Sequence, residues 1–217
     1  MIEENNNGKG VSKQLMFAVS GVALLIIAVV GSAYAYFTAS ATSNGGVSGT
    51  TLNVQLQQPK VELVSTNATG GLVPIYDGTV TGHDSQLSAA ASATKQCVDK
   101  NNYTVCKVYR VTIENAGSTA TTVNTTLNLT NGGATNLKWA RMTSATAVDT
   151  TLPSDNTIST DKTLAAKSGS TNGSLVQYFM VYLKNTGDDQ TDVDAGKTIS
   201  GTVTVTASTG ANVQAEF

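Results

Sequence analysis

The sequence predicts an all-β fold, an antiparallel β-sandwich, and three features point to it. Apolar residues recur at every second position in several short segments, as strands with one buried face require. Ser and Thr make up about a quarter of the 217 residues, and Thr favours half-buried strand positions. Polar turns built on Asn, Asp and Gly separate the alternating segments, while only one short stretch reads as helical.

Before the sandwich comes an apolar segment. Leu15 to Phe37 contains no charged residue and centres on Val22-Ala-Leu-Leu-Ile-Ile-Ala-Val-Val30. Lys9 and Lys13 precede it, and Gly31, Ser32, Ala33 and Ala35 close it. A basic flank, an apolar helix and an Ala33-x-Ala35 site form the pattern of a secretory signal cut between Ala35 and Tyr36. The chain is therefore expected to be exported, with a signal peptidase as a partner during export. Two other fates use the same residues. A pilin-type leader would be cut between Gly10 and Val11, leaving the helix on the mature chain. About 20 apolar residues also suffice for a retained membrane anchor. Residues 1–35 are thus a signal peptide or an anchor helix, and membrane contact is expected only through that helix.

Residues 36–49 follow as a separate unit. Phe37, Ala39 and Ala41 alternate with Thr38, Ser40 and Thr42, a strand pattern with small residues on one face. Ser43-Asn-Gly-Gly-Val-Ser-Gly49 is a flexible tether.

The sandwich domain is expected over 50–217. Leu52, Val54 and Leu56 share a face in its first strand, and Val61, Leu63 and Val64 continue after Pro59. Asp84 to Gln96, centred on Ala89-Ala-Ala91, reads as a helix capped by Asp84 or Ser85. Tyr109, Val111 and Ile113 are in phase up to a turn at Asn115-Ala-Gly117. Val123, Thr125, Leu127 and Leu129 follow, then Leu137, Trp139 and Arg141, with Trp139 as a core anchor. Ser144 to Ser174 lacks periodicity and reads as a polar insertion. Leu175 to Leu183 is apolar nearly throughout, as a central strand covered on both faces would be. Ile199, Gly201, Val203, Val205 and Ala207 form the last alternating run. Seven or eight short strands with polar turns favour a sandwich.

Composition restricts function. Charged residues are 13% of the chain and the net charge is −2. Such a chain has no basic patch to neutralise phosphates, so no nucleic-acid partner is expected. Cys97 and Cys106 bracket an Asp-Lys-Asn-Asn centre that reads as a turn, so an exported chain is expected to bridge them. Asn-x-Ser/Thr triplets at Asn67, Asn102, Asn124, Asn128 and Asn172 are as frequent as chance allows for this composition and carry no argument for glycosylation.

Catalytic patterns fail on spacing or context. Ser92-Ala-Thr-Lys95 and Ser154-Asp155-Asn156 imitate two of the three motifs of serine β-lactamases, and Lys197-Thr198-Ile199 only approximates the third. Ser-x-x-Lys recurs at Ser159 to Lys162. Ala195-Gly-Lys-Thr198 resembles the end of a phosphate-binding loop, but Thr191 stands where that loop needs glycine. His83, the sole histidine, has no companion ligands for zinc. Asp188, Asp189, Asp192 and Asp194 offer oxygen ligands for calcium without EF-hand spacing. No enzyme activity, cofactor or firm metal site is expected.

Tyr34-Ala-Tyr-Phe-Thr-Ala-Ser-Ala-Thr-Ser-Asn44 followed by Gly49-Thr-Thr-Leu-Asn-Val-Gln-Leu56 resembles exported proteins of the TasA/camelysin type, at their processing site and first strand. Val108-Tyr-Arg-Val-Thr-Ile-Glu-Asn-Ala-Gly117 and Asp194-Ala-Gly-Lys-Thr-Ile-Ser-Gly-Thr-Val-Thr-Val205 resemble two of that family's later strands. Departures are the acidic leader, the cysteine pair, and Ala195 where proline is frequent. The resemblance implies a jelly-roll-like sandwich and a secreted structural subunit of an extracellular or biofilm-matrix fibre at the cell surface. Identical subunits would join head to tail, with Phe37, Ala39 and Ala41 on a donated strand. A pilin-like filament subunit and a membrane-anchored adhesion or carbohydrate-binding sandwich are the competing readings. Zinc chemistry attributed to some relatives has no matching ligands in this sequence.

Overall fold

The computed structural model describes residues 52–188, Asp194 and residues 199–217. Among these, nine strands and one short helix appear. They are β1 (Lys60–Leu63), α1 (Leu87–Ser92), β2 (Cys106–Asn115), β3 (Thr121–Thr130), β4 (Leu137–Ser144), β5 (Ala147–Val148), β6 (Thr157–Leu164), β7 (Gly173–Leu183), β8 (Ser200–Ala207) and β9 (Asn212–Glu216). One sheet has the order β1-β2-β7-β4-β5 and the other β6-β3-β8-β9. Every strand pairing in them is antiparallel. The all-β, two-sheet expectation is met.

Alternation decides which faces meet. Tyr109, Val111, Ile113, Phe179 and Val181 from the first sheet pack with Val123, Leu127, Val203 and Val205 from the second. Burying side chains of this size contributes roughly 1.5–3 kcal/mol each before chain entropy is counted. Phe217, just beyond β9, adds its ring to those of Tyr109 and Phe179 at centroid separations of 4.5 and 5.3 Å.

The first sheet is covered on its other face as well. Val108, Ala140, Met180 and Tyr182 pack under Ile75, Leu87, Ala91 and the Cys97–Cys106 bridge. This explains the unbroken apolar character of β7, which is the third of five strands. The segment between β1 and β2 serves as a lid of irregular chain, one helix and one hairpin.

That hairpin has the expected form. Asp99 Oδ1 accepts the amides of Asn101 and Tyr103, and Val105 N donates to Cys97 O at 2.9 Å. The Cα atoms of Cys97 and Cys106 lie 4.8 Å apart. The bridge closes a loop with a sequence separation of 9, for which loop entropy gives about 2–3 kcal/mol. Replacing both cysteines by alanine should lower unfolding stability by that amount in urea titration. Non-reducing peptide mapping should recover one linked pair, and two free thiols would refute it.

Several elements differ from expectation. The helix runs over six residues rather than 84–96, starts after Gln86 with the Ser85 hydroxyl accepting Leu87 N at 3.4 Å, and stops where Ala93 turns extended. The chain must leave the helix there to bring Cys97 back to β2, and Cys97 N donates to Ala90 O at 2.9 Å. Ser144 to Ser174 is not a plain insertion, since it contains β5 and the eight-residue β6. Only Ile158 and Leu164 of β6 are buried, and register shifts interrupt its pairing with β3, so its alternation is hidden. Trp139 is half-buried at the margin of the inter-sheet core rather than a central anchor.

Residues 52–57 are an extended segment, not a ladder strand. Val54 and Leu56 pack on the core while Leu52 is 64% exposed. Asn115 secures this segment. Its Oδ1 accepts Gln55 N and Gly117 N, and its Nδ2 donates to the carbonyls of Thr119 and Ala165. Gly117 permits the approach, because a Cβ there would lie 2.0 Å from Asn53 O.

Candidate functional site

The cleavage residues Ala33, Ala35 and Tyr36, the pilin-type site at Gly10 and Val11, and the donor positions Phe37, Ala39 and Ala41 lie outside the described residues. So do Asp189, Asp192, Lys197 and Thr198.

Several of the described motif residues have structural partners. Ser92 Oγ donates to Ser88 O at 2.8 Å, and Lys95 Nζ donates to Asn102 Oδ1 at 3.2 Å. Asp155 Oδ1 accepts Arg141 Nη2 at 2.8 Å and Thr157 N at 2.9 Å. The Thr157 amide and then Arg141 hold that carboxylate below its ordinary pKa. His83 stacks on Tyr76 with ring centroids 4.0 Å apart. Asp194 accepts Thr135 N at 2.7 Å and Asn136 Nδ2 at 3.1 Å, while Asp188 is exposed. Among the described residues no three His, Cys, Asp or Glu side chains come together as metal ligands.

Two of the clefts among the described residues open beside Trp139 and beside β7. The first, about 470 Å³, lies beside Trp139 and is lined by Asp77, Asn128, Asp155, Tyr182 and Lys184 among others. Asp77 is 6% exposed. Its Oδ1 accepts the Thr79 amide and hydroxyl at 3.0 and 2.6 Å, and its Oδ2 accepts the Tyr182 hydroxyl at 3.1 Å. Burial alone would raise the Asp77 pKa, but these donors and the Lys184 charge outweigh it and leave the carboxylate below 3.8. Burial, and then the Asp77 charge, push the Tyr182 phenol upward.

This pair was not legible in the sequence, because Asp77 and Tyr182 are 105 residues apart. It has an acid-stability consequence. A folded-state pKa below 3.8 means that the unfolded chain takes up the proton first as pH falls. The contribution is complete above that value and disappears as pH drops through the lowered one. Asp77→Asn should therefore destabilise by about 2 kcal/mol near neutrality, with the gap narrowing as pH falls below the ordinary carboxylate range. Thermal melts of both proteins across this range would test it, and a gap constant with pH would refute the assignment.

No protein-family model and no curated protein matches the chain. Its function must therefore be read from its own residues.

The second cleft, about 460 Å³, lies between β7 and β6 where β4 turns away. Leu175, Val176, Gln177, Ile158, Ser159 and Arg141 are among its lining residues. Arg141 crosses from the first sheet to the second here, with Nε donating to Thr157 O at 2.6 Å. Gln177 is 9% exposed, and neither atom of its carboxamide has a hydrogen-bond partner. The hydroxyls of Ser159 and Thr125 are unpartnered too. Two unsatisfied polar side chains, Gln177 and Ser159, line this one opening and mark it as a place for a polar ligand or chain. Sequence alternation placed Thr125 on the inner face but could not show what it would meet.

Proposed function

We propose that this chain is a secreted structural subunit of an extracellular or biofilm-matrix fibre, assembling by donor-strand exchange. The fold is read as jelly-roll-like, without catalytic activity, and its partners as identical subunits in a head-to-tail polymer. The observation that carries this reading is the entry of the chain into an antiparallel two-sheet domain at the exposed Leu52. A Gly/Ser/Asn-rich segment, and before it an alternating, uncharged seven-residue segment, precede it in sequence. Such a segment can add main-chain hydrogen bonds to a neighbour's sheet, and giving one strand while receiving another yields an open fibre. The disulfide supports an oxidising compartment outside the cytosol.

A second reading, carbohydrate binding on an anchored sandwich, is favoured by the cleft at Trp139, where a half-buried indole adjoins amide and carboxylate side chains. The N-terminal sequence of the native protein separates the possibilities: Tyr36 for the fibre subunit, Val11 for a pilin-like filament, and an intact leader for an anchored protein. The assembly test compares residues 36–217 with residues 50–217 by electron microscopy. Fibres from the longer chain alone are expected, and equal fibre length and yield from both would overturn strand donation.

A further inference from the structure

We propose that the free edge of β7 from Gly173 to Gln177 is the acceptor, and that it receives residues 36–42 of a second copy of this chain. The inference rests on strand donation as the mode of assembly and adds where the strand is received. β2 pairs with β7 from Asn115↔Gly173 to Cys106↔Tyr182. On the other side, β4 pairs only from Leu137↔Leu183 to Met142↔Tyr178. Residues 173–177 thus have a strand beside them on one side and, among the described residues, none paired on the other. Five residues of edge extend about 17 Å, a length that a seven-residue strand covers.

The chemistry of this edge suits a polypeptide. Buried side-chain amides are normally saturated, and Asn115 at the far end of β2 makes four bonds. Gln177 makes none, although it is nine-tenths buried on the same face of β7 as Phe179. A carboxamide with a free donor and a free acceptor, beside the unpartnered Ser159 hydroxyl, matches the alternating donors and acceptors of an extended chain. Apolar surface is present as well. Val176 is 43% exposed, and Leu175 and Ile158 line the cleft. Small residues such as Ala39 and Ala41 suit the space beside those larger ones, and the donor segment carries no charge to desolvate.

Other free edges lack this combination. β1 follows Pro59 and carries Lys60 and Glu62, which form an ion pair. β5 has two residues. β6 is irregular in register and exposes Asp161 and Lys162. β9 exposes Asn212, Gln214 and Glu216. Charge, proline, shortness and bulging all discourage strand addition.

Cysteine pairs in the full chain test the site. Cys97 and Cys106 are bridged and fully buried, so they do not compete. Fibres of the Ser40→Cys, Val176→Cys chain, with both cysteines on the outer face of the augmented sheet, oxidised and run on a non-reducing denaturing gel, should give a ladder of multimers that collapses on reduction. Ser40→Cys with Gln214→Cys, at the β9 edge, should give none. A ladder from the second pair alone overturns the acceptor while leaving strand donation standing, and so do fibres without a ladder from either. A crosslink confined to monomers overturns it too, since each strand would then fill its own domain. Equal polymerisation by residues 50–217 would instead overturn the underlying assembly mode. Hydrogen exchange on the unsubstituted chain is an independent measure. The amides of 173–177 should slow at least tenfold from monomer to fibre, and unchanged rates there would refute the proposal.

Discussion

Phe179→Ala is expected to cost about 3–5 kcal/mol of unfolding free energy, the range for truncating a large buried aromatic ring. Phe179 has no exposed surface, and it stands in β7 between Tyr109 on β2 and Arg141 on β4. Its ring lies 5.1 Å from that of Tyr109 and 5.3 Å from that of Phe217. Removing it opens a cavity at the one point where the central strand, its neighbour and the C-terminal residue share an aromatic cluster. The two sheets cannot close the gap without moving paired backbones, so little relaxation is expected. Urea titration should show a lower midpoint with an unchanged slope. A loss under about 1 kcal/mol would mean that the ring is not held between the sheets.

Gly173→Ala is expected to destabilise by about 3 kcal/mol although it adds a single methyl group. A Cβ at Gly173 would lie 1.9 Å from Ala165 O and 2.5 Å from Ala165 C, and 3.0 Å from Ala166 O. All three are backbone atoms, so no rotamer change relieves the overlap. The link from β6 to β7 carries the chain between the sheets, and displacing it breaks the Asn115 Nδ2 bond to Ala165 O. Gly71→Ala is the matching control, because a Cβ there meets nothing within 4 Å. Melting temperatures of the two variants should separate clearly, and equal values would refute the close approach. Because Gly173 also begins the proposed acceptor edge, the variant should assemble poorly even where it remains folded.

Much of the fold was determined by the sequence alone. Tyr109, Val111 and Ile113, the β3 run from Val123, and the β8 run from Gly201 all alternate because one face of each strand is buried and the other is wetter. The apolar β7 showed that its sheet is covered twice, and two cysteines about a turn made their pairing legible. Three things only the tertiary structure decided. β6 and β9 sit at sheet edges and bury few apolar residues, so pairing with β3 and β8 defines them rather than their own pattern. The spaced serines and lysines carry chemical types but no distances, and the fold gives Ser92, Lys95 and Asp155 to local hydrogen bonds. Asn115 and Gln177 are both buried amides, yet one is saturated and the other has no partner. Alternation records which face of a strand is buried, but not which strand lies next to it. Neighbours are set by contacts between residues far apart in the chain, and it is at β7, where a neighbour stops short, that the candidate site appears.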